Sequence, residues 1–103
     1  MSFAEFEAST TRDAAPQAEW TPALRALWHD AREEWTLAHE QAQGDDSANG
    51  AWVHAYLHRK EGDLNNASYW YAKAGRSRPA DDVTLPGEWE QIARALLGEP
   101  AAR

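Results

Sequence analysis

Apolar residues recur along this chain at spacings of three and four, the period of an α-helix, and capping residues, Gly and Pro punctuate the runs. The clearest instance spans residues 51–79. Residues 51–61 hold no Gly or Pro; Gly62 then supplies the left-handed conformation that ends a helix, and Asp63 offers a carboxylate to the free amides that begin the next one. Beyond the turn, Leu64, Ala67, Trp70, Tyr71 and Ala74 keep the helical spacing until Gly75. The pattern predicts an antiparallel helical hairpin.

Upstream, Thr21 and Pro22 give a capping hydroxyl and a ring suited to the first helical position. Leu24, Leu27, Trp28, Trp35 and Ala38 follow at helical spacing until Gly44 and the loop DDSANG. A shift of 29 positions carries Leu64 onto Trp35, Ala67 onto Ala38, His58 onto His29 and Asp63 onto Glu34. Residues 21–44 are therefore expected to form two helices with a turn near residues 32–34, although no Gly stands there; a single bent helix is the alternative. Phe3 and Phe6 mark a short N-terminal helix or docked arm, followed by a linker that ends near Pro16. Downstream, Thr84, Leu85 and Pro86 start a last helix whose stripe of Trp89, Ile92, Ala93 and Leu96 is expected to cover the preceding hairpin. The tail GEPAAR is expected to be loose.

The expected architecture is all-α, about five helices in one domain over residues 1–103: an arm and linker (1–19), a degenerate hairpin (21–44), a clear hairpin (48–79) and a C-terminal covering helix (85–98). A chain of 103 residues supports one modest core, and six Trp, three Tyr and two Phe make it strongly aromatic. The absence of Cys excludes disulfides, thiolate metal sites and cysteine nucleophiles. Apolar runs are short and the N-terminus is acidic, so neither a membrane span nor a secretory signal is expected, and a soluble cytoplasmic protein is. A net charge of −7 disfavours nucleic acid and anionic membranes as partners.

The hairpin over 51–79 resembles one tetratricopeptide repeat: Ala55 in the first helix, Gly62 and Asp63 at the turn, Ala67, Tyr71 and Ala74 in the second helix, and a closing Pro79. The preceding segment is similar to a worn copy that keeps Ala26 and Ala38. The resemblance implies two stacked hairpins, with first helices lining a groove for a peptide or partner helix. The string WVHAYLHRKEGDLNNASYWYAKAG, preceded by AHEQAQ, is also similar to a group of short bacterial and fungal proteins, a likeness that points to relatives and not to an activity.

Two clusters of residues suggest function. The positions that the resemblance assigns to the groove are Trp52, Tyr56, Arg59 and Lys60, extended by Trp20, Ala23, Leu27 and Asp30. An aromatic and basic strip on an acidic protein suits an acidic peptide or small anion. The family's carboxylate clamp is not implied, because Trp52, Val53 and Tyr56 stand where it needs Asn and Lys. The bland reading makes Arg59 and Lys60 a solvated helix end that complements the helix dipole. The second cluster is His54, His58 and Glu61, within about 60° of one another on a helical wheel. Two imidazoles at i and i+4 with a carboxylate form half of a divalent-metal site, to which His29 could add a ligand. Alternatively these are core histidines satisfied by hydrogen bonds, or a pH-sensitive polar network. No nucleophile constellation surrounds Ser68 and there is no Gly-rich phosphate loop, so catalysis is not the leading expectation. That expectation is an interaction module, without cofactor, that binds a peptide or protein or associates with itself; the alternative is a metal-binding protein or metal-dependent enzyme.

Overall fold

The computed structural model describes residues 1–99, so the end of the expected loose tail, residues 100–103, lies outside the described residues. The described residues form six α-helices and no strand: α1 (Phe3–Arg12), α2 (Pro22–Ala31), α3 (Trp35–Gln43), α4 (Ala48–Glu61), α5 (Leu64–Lys73) and α6 (Leu85–Leu97). Side chains at the starts set most of their boundaries. Ser2 and Glu5 form a reciprocal capping box on α1, and Thr21, Ser47, Asp63 and Thr84 accept from the third residue of their own helices.

Residues 21–44 form two helices. The turn between them repeats the later one at the 29-residue shift: Glu33 adopts φ 59° where Gly62 adopts φ 87°. Glu34 N–H donates to the His29 carbonyl at 3.0 Å, as Asp63 N–H donates to the His58 carbonyl at 2.9 Å. The chain thus makes the same left-handed stop twice, once with the residue suited to it and once with a glutamate. Such a conformation crowds Cβ and costs about 1–2 kcal/mol for a residue other than Gly.

Helix α4 is the spine. It packs against α5, α3, α2 and α6, and every residue from Gly50 to His58 is buried. A helix enclosed on all sides needs no polar face, so its sequence shows little amphipathic pattern. Helices α2 and α3 fold back on each other, as do α4 and α5. Gly50 lets the start of α4 approach the preceding loop, because a Cβ there would lie 2.2 Å from the Asp45 carbonyl oxygen. The Asp45 carboxylate in turn accepts from the Ala23 amide at 3.1 Å and fastens that loop to α2.

The last helix covers more than the neighbouring hairpin: α6 packs on α4, α2 and α1. Trp89 donates its indole N–H to the Leu27 carbonyl at 3.0 Å and stacks on Phe6, which also meets Trp20 edge-on. Two buried carboxylates bind this layer. Glu88 of α6 accepts from Tyr71 at 2.6 Å and from Arg59 at 2.9 Å; Asp30 of α2 accepts from Tyr56 and Lys60, each at 2.9 Å. The start of the expected loose tail is also fixed, since Glu99 accepts from the Phe3 amide at 2.7 Å and from Arg94 at 3.0 Å.

Candidate metal centre

Helix α4 carries His54 and His58 one turn apart, and the packing of α3 beside it delivers a third imidazole, His39. Small residues allow that approach: Ala38 and Ala42 of α3 are fully covered. Trp35, one turn before His39, fixes the register by donating its indole N–H to the Leu57 carbonyl at 3.0 Å. The Trp35 ring stacks on His39, with centroids 4.8 Å apart and planes 12° from parallel. From α5, Trp70 stacks on His54 at 4.0 Å and 18°. Aromatic walls on both sides therefore restrict imidazole rotation.

One ring nitrogen of each of His39, His54 and His58 lies within 4.8 Å of the other two. The closest pair is His39 and His54, whose Nε2 atoms are 2.9 Å apart. His58 donates from Nδ1 to the Glu61 carboxylate at 2.9 Å, which leaves its lone pair on Nε2 when the ring is neutral. Burial pushes the His54 pKa down to about 4, and the neighbouring His39 and His58 add to the shift. His39 is lowered for the same reasons, burial first and then His58. The environment thus favours the neutral form of His39 and His54, the form with a lone pair to give a metal. A second grouping joins His58, Glu61 and Asp63, but the Asp63 carboxylate is engaged by the Asn66 amide and side chain at 3.3 and 2.7 Å.

Of the four residues proposed from the sequence as metal ligands, His54 and His58 come together, Glu61 meets the pair only through His58, and His29 does not join them. His29 bonds through Nδ1 to Glu34 at 3.0 Å, and His39 stands in the cluster instead. Sequence reasoning missed His39. Two signals pointed to it: it lies within AHEQAQ, which accompanies the hairpin string, and it follows Trp35 by four residues, one aromatic turn on a helix.

The residues expected to line an open groove sit under α6. Leu27, Asp30, Trp52 and Tyr56 are buried, while Arg59 and Lys60 are half-buried and paired with Glu88 and Asp30. Trp52 is capped by the Arg76 guanidinium, 3.4 Å above its ring. The physical reason is that α6 uses this face as its own docking surface. Asp30, Tyr56 and Lys60 still reach a cleft of about 480 Å³ between α1, α2, α4 and α6, together with Trp89 and carboxylates of Glu7, Glu33 and Glu90. A smaller cavity, about 200 Å³, opens beside His54, bounded by Trp70, Lys73 and the loop leading into α4.

Among the described residues no helix is long and apolar enough to cross a membrane. Comparison with protein-family models, with curated proteins and with solved structures yields no match to this chain.

Proposed function

We propose that the chain is a divalent-metal-binding protein whose ligands are His39, His54 and His58, with Glu61 orienting His58 from behind. The observation that carries this reading is the convergence of three imidazoles from two helices, stacked against Trp35 and Trp70. Imidazole suits zinc, copper, iron and nickel. A tetrahedral ion with bonds of about 2.0–2.1 Å holds its nitrogens about 3.3 Å apart, so small ring rotations suffice from the 2.9 Å separation of His39 and His54. A carboxylate on the far nitrogen of a metal-bound imidazole fixes tautomer and orientation; Glu61, bonded to His58 Nδ1, would take that role with the ion on Nε2.

The scaffold we infer is tetratricopeptide-like, two hairpins formed by α2–α3 and α4–α5. The matching turns at Glu33 and Gly62 support it. The repeat length of 29 is shorter than the 34 of that family, and α6 covers the face such repeats leave open.

The test is elemental analysis by mass spectrometry of untagged protein purified without chelator. Close to one equivalent of a transition metal, lost in the His54→Ala, His58→Ala double variant while the helical signal persists, is the expected result. A folded, metal-free wild type that takes up no added zinc would overturn it.

A second reading, a partner-binding module, draws on the cleft that Asp30, Tyr56 and Lys60 share with Trp89. Four carboxylates against one lysine there favour a cationic side chain of a protein partner, opposite in sign to the acidic peptide expected from the basic strip.

A further inference from the structure

We propose that the cleft between α1, α2, α4 and α6 is a small-molecule site whose ligand is an aliphatic amine carrying two ammonium groups. The cleft shares no residue with the imidazole cluster, so this site stands apart from the metal reading. It rests on the second reading only for the positive charge of the occupant.

The cleft has the size and the walls for such a ligand. At about 480 Å³ it falls within the roughly 300–1,000 Å³ of pockets that enclose a whole small molecule. Leu85, Pro86 and Trp89 of α6 and Ala31 of α2 give it an apolar wall. A hydrocarbon chain gains by leaving water against such a surface.

Charge selects what the chain must carry. The lining holds four carboxylates and one cation, Lys60. The buried Asp30 is already engaged, accepting from Lys60 and Tyr56, each at 2.9 Å. Lys60 is thereby held by Asp30 and reaches Glu33 only at 3.4 Å. Glu90 pairs at 2.9 Å with Arg94, which lies outside the lining. With Asp30 set against Lys60 and Glu90 against Arg94, two negative charges remain, those of Glu7 and Glu33. Glu7 pairs with no cation among the described residues. The two come from different elements, α1 and the turn after α2. Two separate carboxylates beside an apolar wall match two ammonium groups joined by a hydrocarbon spacer. A compact divalent ion matches the charge but leaves the wall unused, and an anion meets the wrong sign.

The probe is putrescine, titrated into the full chain by calorimetry at physiological salt, where diffuse surface charge is screened. One saturable site is expected. Glu7→Gln with Glu33→Gln, both at exposed positions so that the fold is kept, is expected to weaken it about tenfold. Glu19→Gln with Glu40→Gln removes the same charge from exposed positions outside the cleft and is expected to leave the affinity unchanged. Magnesium at equal concentration is expected not to displace the diamine. Equal losses in the two double variants, or displacement by magnesium, would reduce the binding to bulk charge and overturn the site. Tetralysine that binds through Glu7 and Glu33 while putrescine does not bind would overturn the free ligand and leave the partner reading standing. If neither binds, both fall.

Discussion

His39 and His54 meet Nε2 to Nε2 at 2.9 Å, although they sit on different helices and 15 residues apart. Two neutral imidazoles in that relation hold one proton between them, one ring donating and the other accepting. Trp35 and Trp70 keep both rings in place. A cation that replaces the shared proton would meet lone pairs already aimed at one another, with the third from His58 close by.

Glu61 acts on this centre only through His58. Glu61→Gln keeps an acceptor for the Nδ1 proton but removes the charge that makes the imidazole a better donor to metal. Zinc affinity is expected to fall about 10- to 100-fold while the stoichiometry stays at one. Competition with a chromophoric chelator reads this directly. A loss of stoichiometry would make Glu61 a ligand, and an unchanged affinity would leave it a surface partner of His58.

Glu88 and Asp30 hold the layers together. Each is almost wholly buried and accepts from one tyrosine and one cation of the central hairpin. Glu88→Ala leaves Arg59 half-buried and unpaired and Tyr71 without its acceptor, at an expected loss of about 3–5 kcal/mol in denaturant unfolding. The Arg12–Asp13 pair is solvated, and Arg12→Ala is expected to leave stability unchanged. Equal effects of the two substitutions would show that the buried network is not what fastens α6.

Those tyrosines also set an alkaline limit. Burial raises the pKa of Tyr56, and the Asp30 carboxylate, with Glu88 and Glu33 beyond it, raises it further. Burial likewise raises Tyr71, reinforced by Glu88 and opposed weakly by Arg59 and Arg78. A phenol whose folded pKa lies above its unfolded value of about 10 contributes stability that is complete below pH 10 and is lost as the pH climbs past it. Burial opposes the Lys60 charge, but Asp30 and Glu33 raise its pKa overall, so it acts in the same direction. Melting temperatures are expected to hold from pH 7 to about 9.5 and then fall. The gap between wild type and a Tyr56→Phe, Tyr71→Phe variant should narrow over the same range. A constant gap would contradict the assignment.

The two turns offer a backbone test. Gly62 has φ 87° and nothing within 4 Å of a Cβ placed there, so Gly62→Ala adds backbone strain without a clash, partly offset by a stiffer unfolded chain. It is expected to cost about 1–2 kcal/mol. Glu33→Gly, at φ 59°, relieves that strain but gives up a 3.4 Å contact with Lys60 and loosens the unfolded chain. Its stability is expected to match or exceed that of wild type. A loss as large as that of Gly62→Ala would mean the turns are not equivalent.

What could be read in advance was local. The stop at Gly62, the caps at Thr21, Asp63 and Thr84 and the helical period lie within a few residues of the elements they shape. The turn at Glu33 was legible only by comparison across the repeat, since glutamate carries no turn preference of its own. The site was half legible: His54 and His58 share a helix face, whereas His39 joins them through the packing of α3 on α4, which no local pattern encodes. Burial of Asp30 and Glu88 ran against the usual exposure of carboxylates, because their partners lie 26 to 30 and 17 to 29 residues away. The same long-range packing put α6 beside Trp52 and Tyr56 and left the strip open only at the cleft that Asp30, Tyr56 and Lys60 reach.

Zinc titration by calorimetry on untagged, chelator-treated protein, compared with His39→Ala and His29→Ala, tests the centre most directly. One site in the wild type, absent in His39→Ala and intact in His29→Ala, is the expected result. Binding that survives in a folded His39→Ala, or that disappears in a folded His29→Ala, would contradict a centre built on His39, His54 and His58.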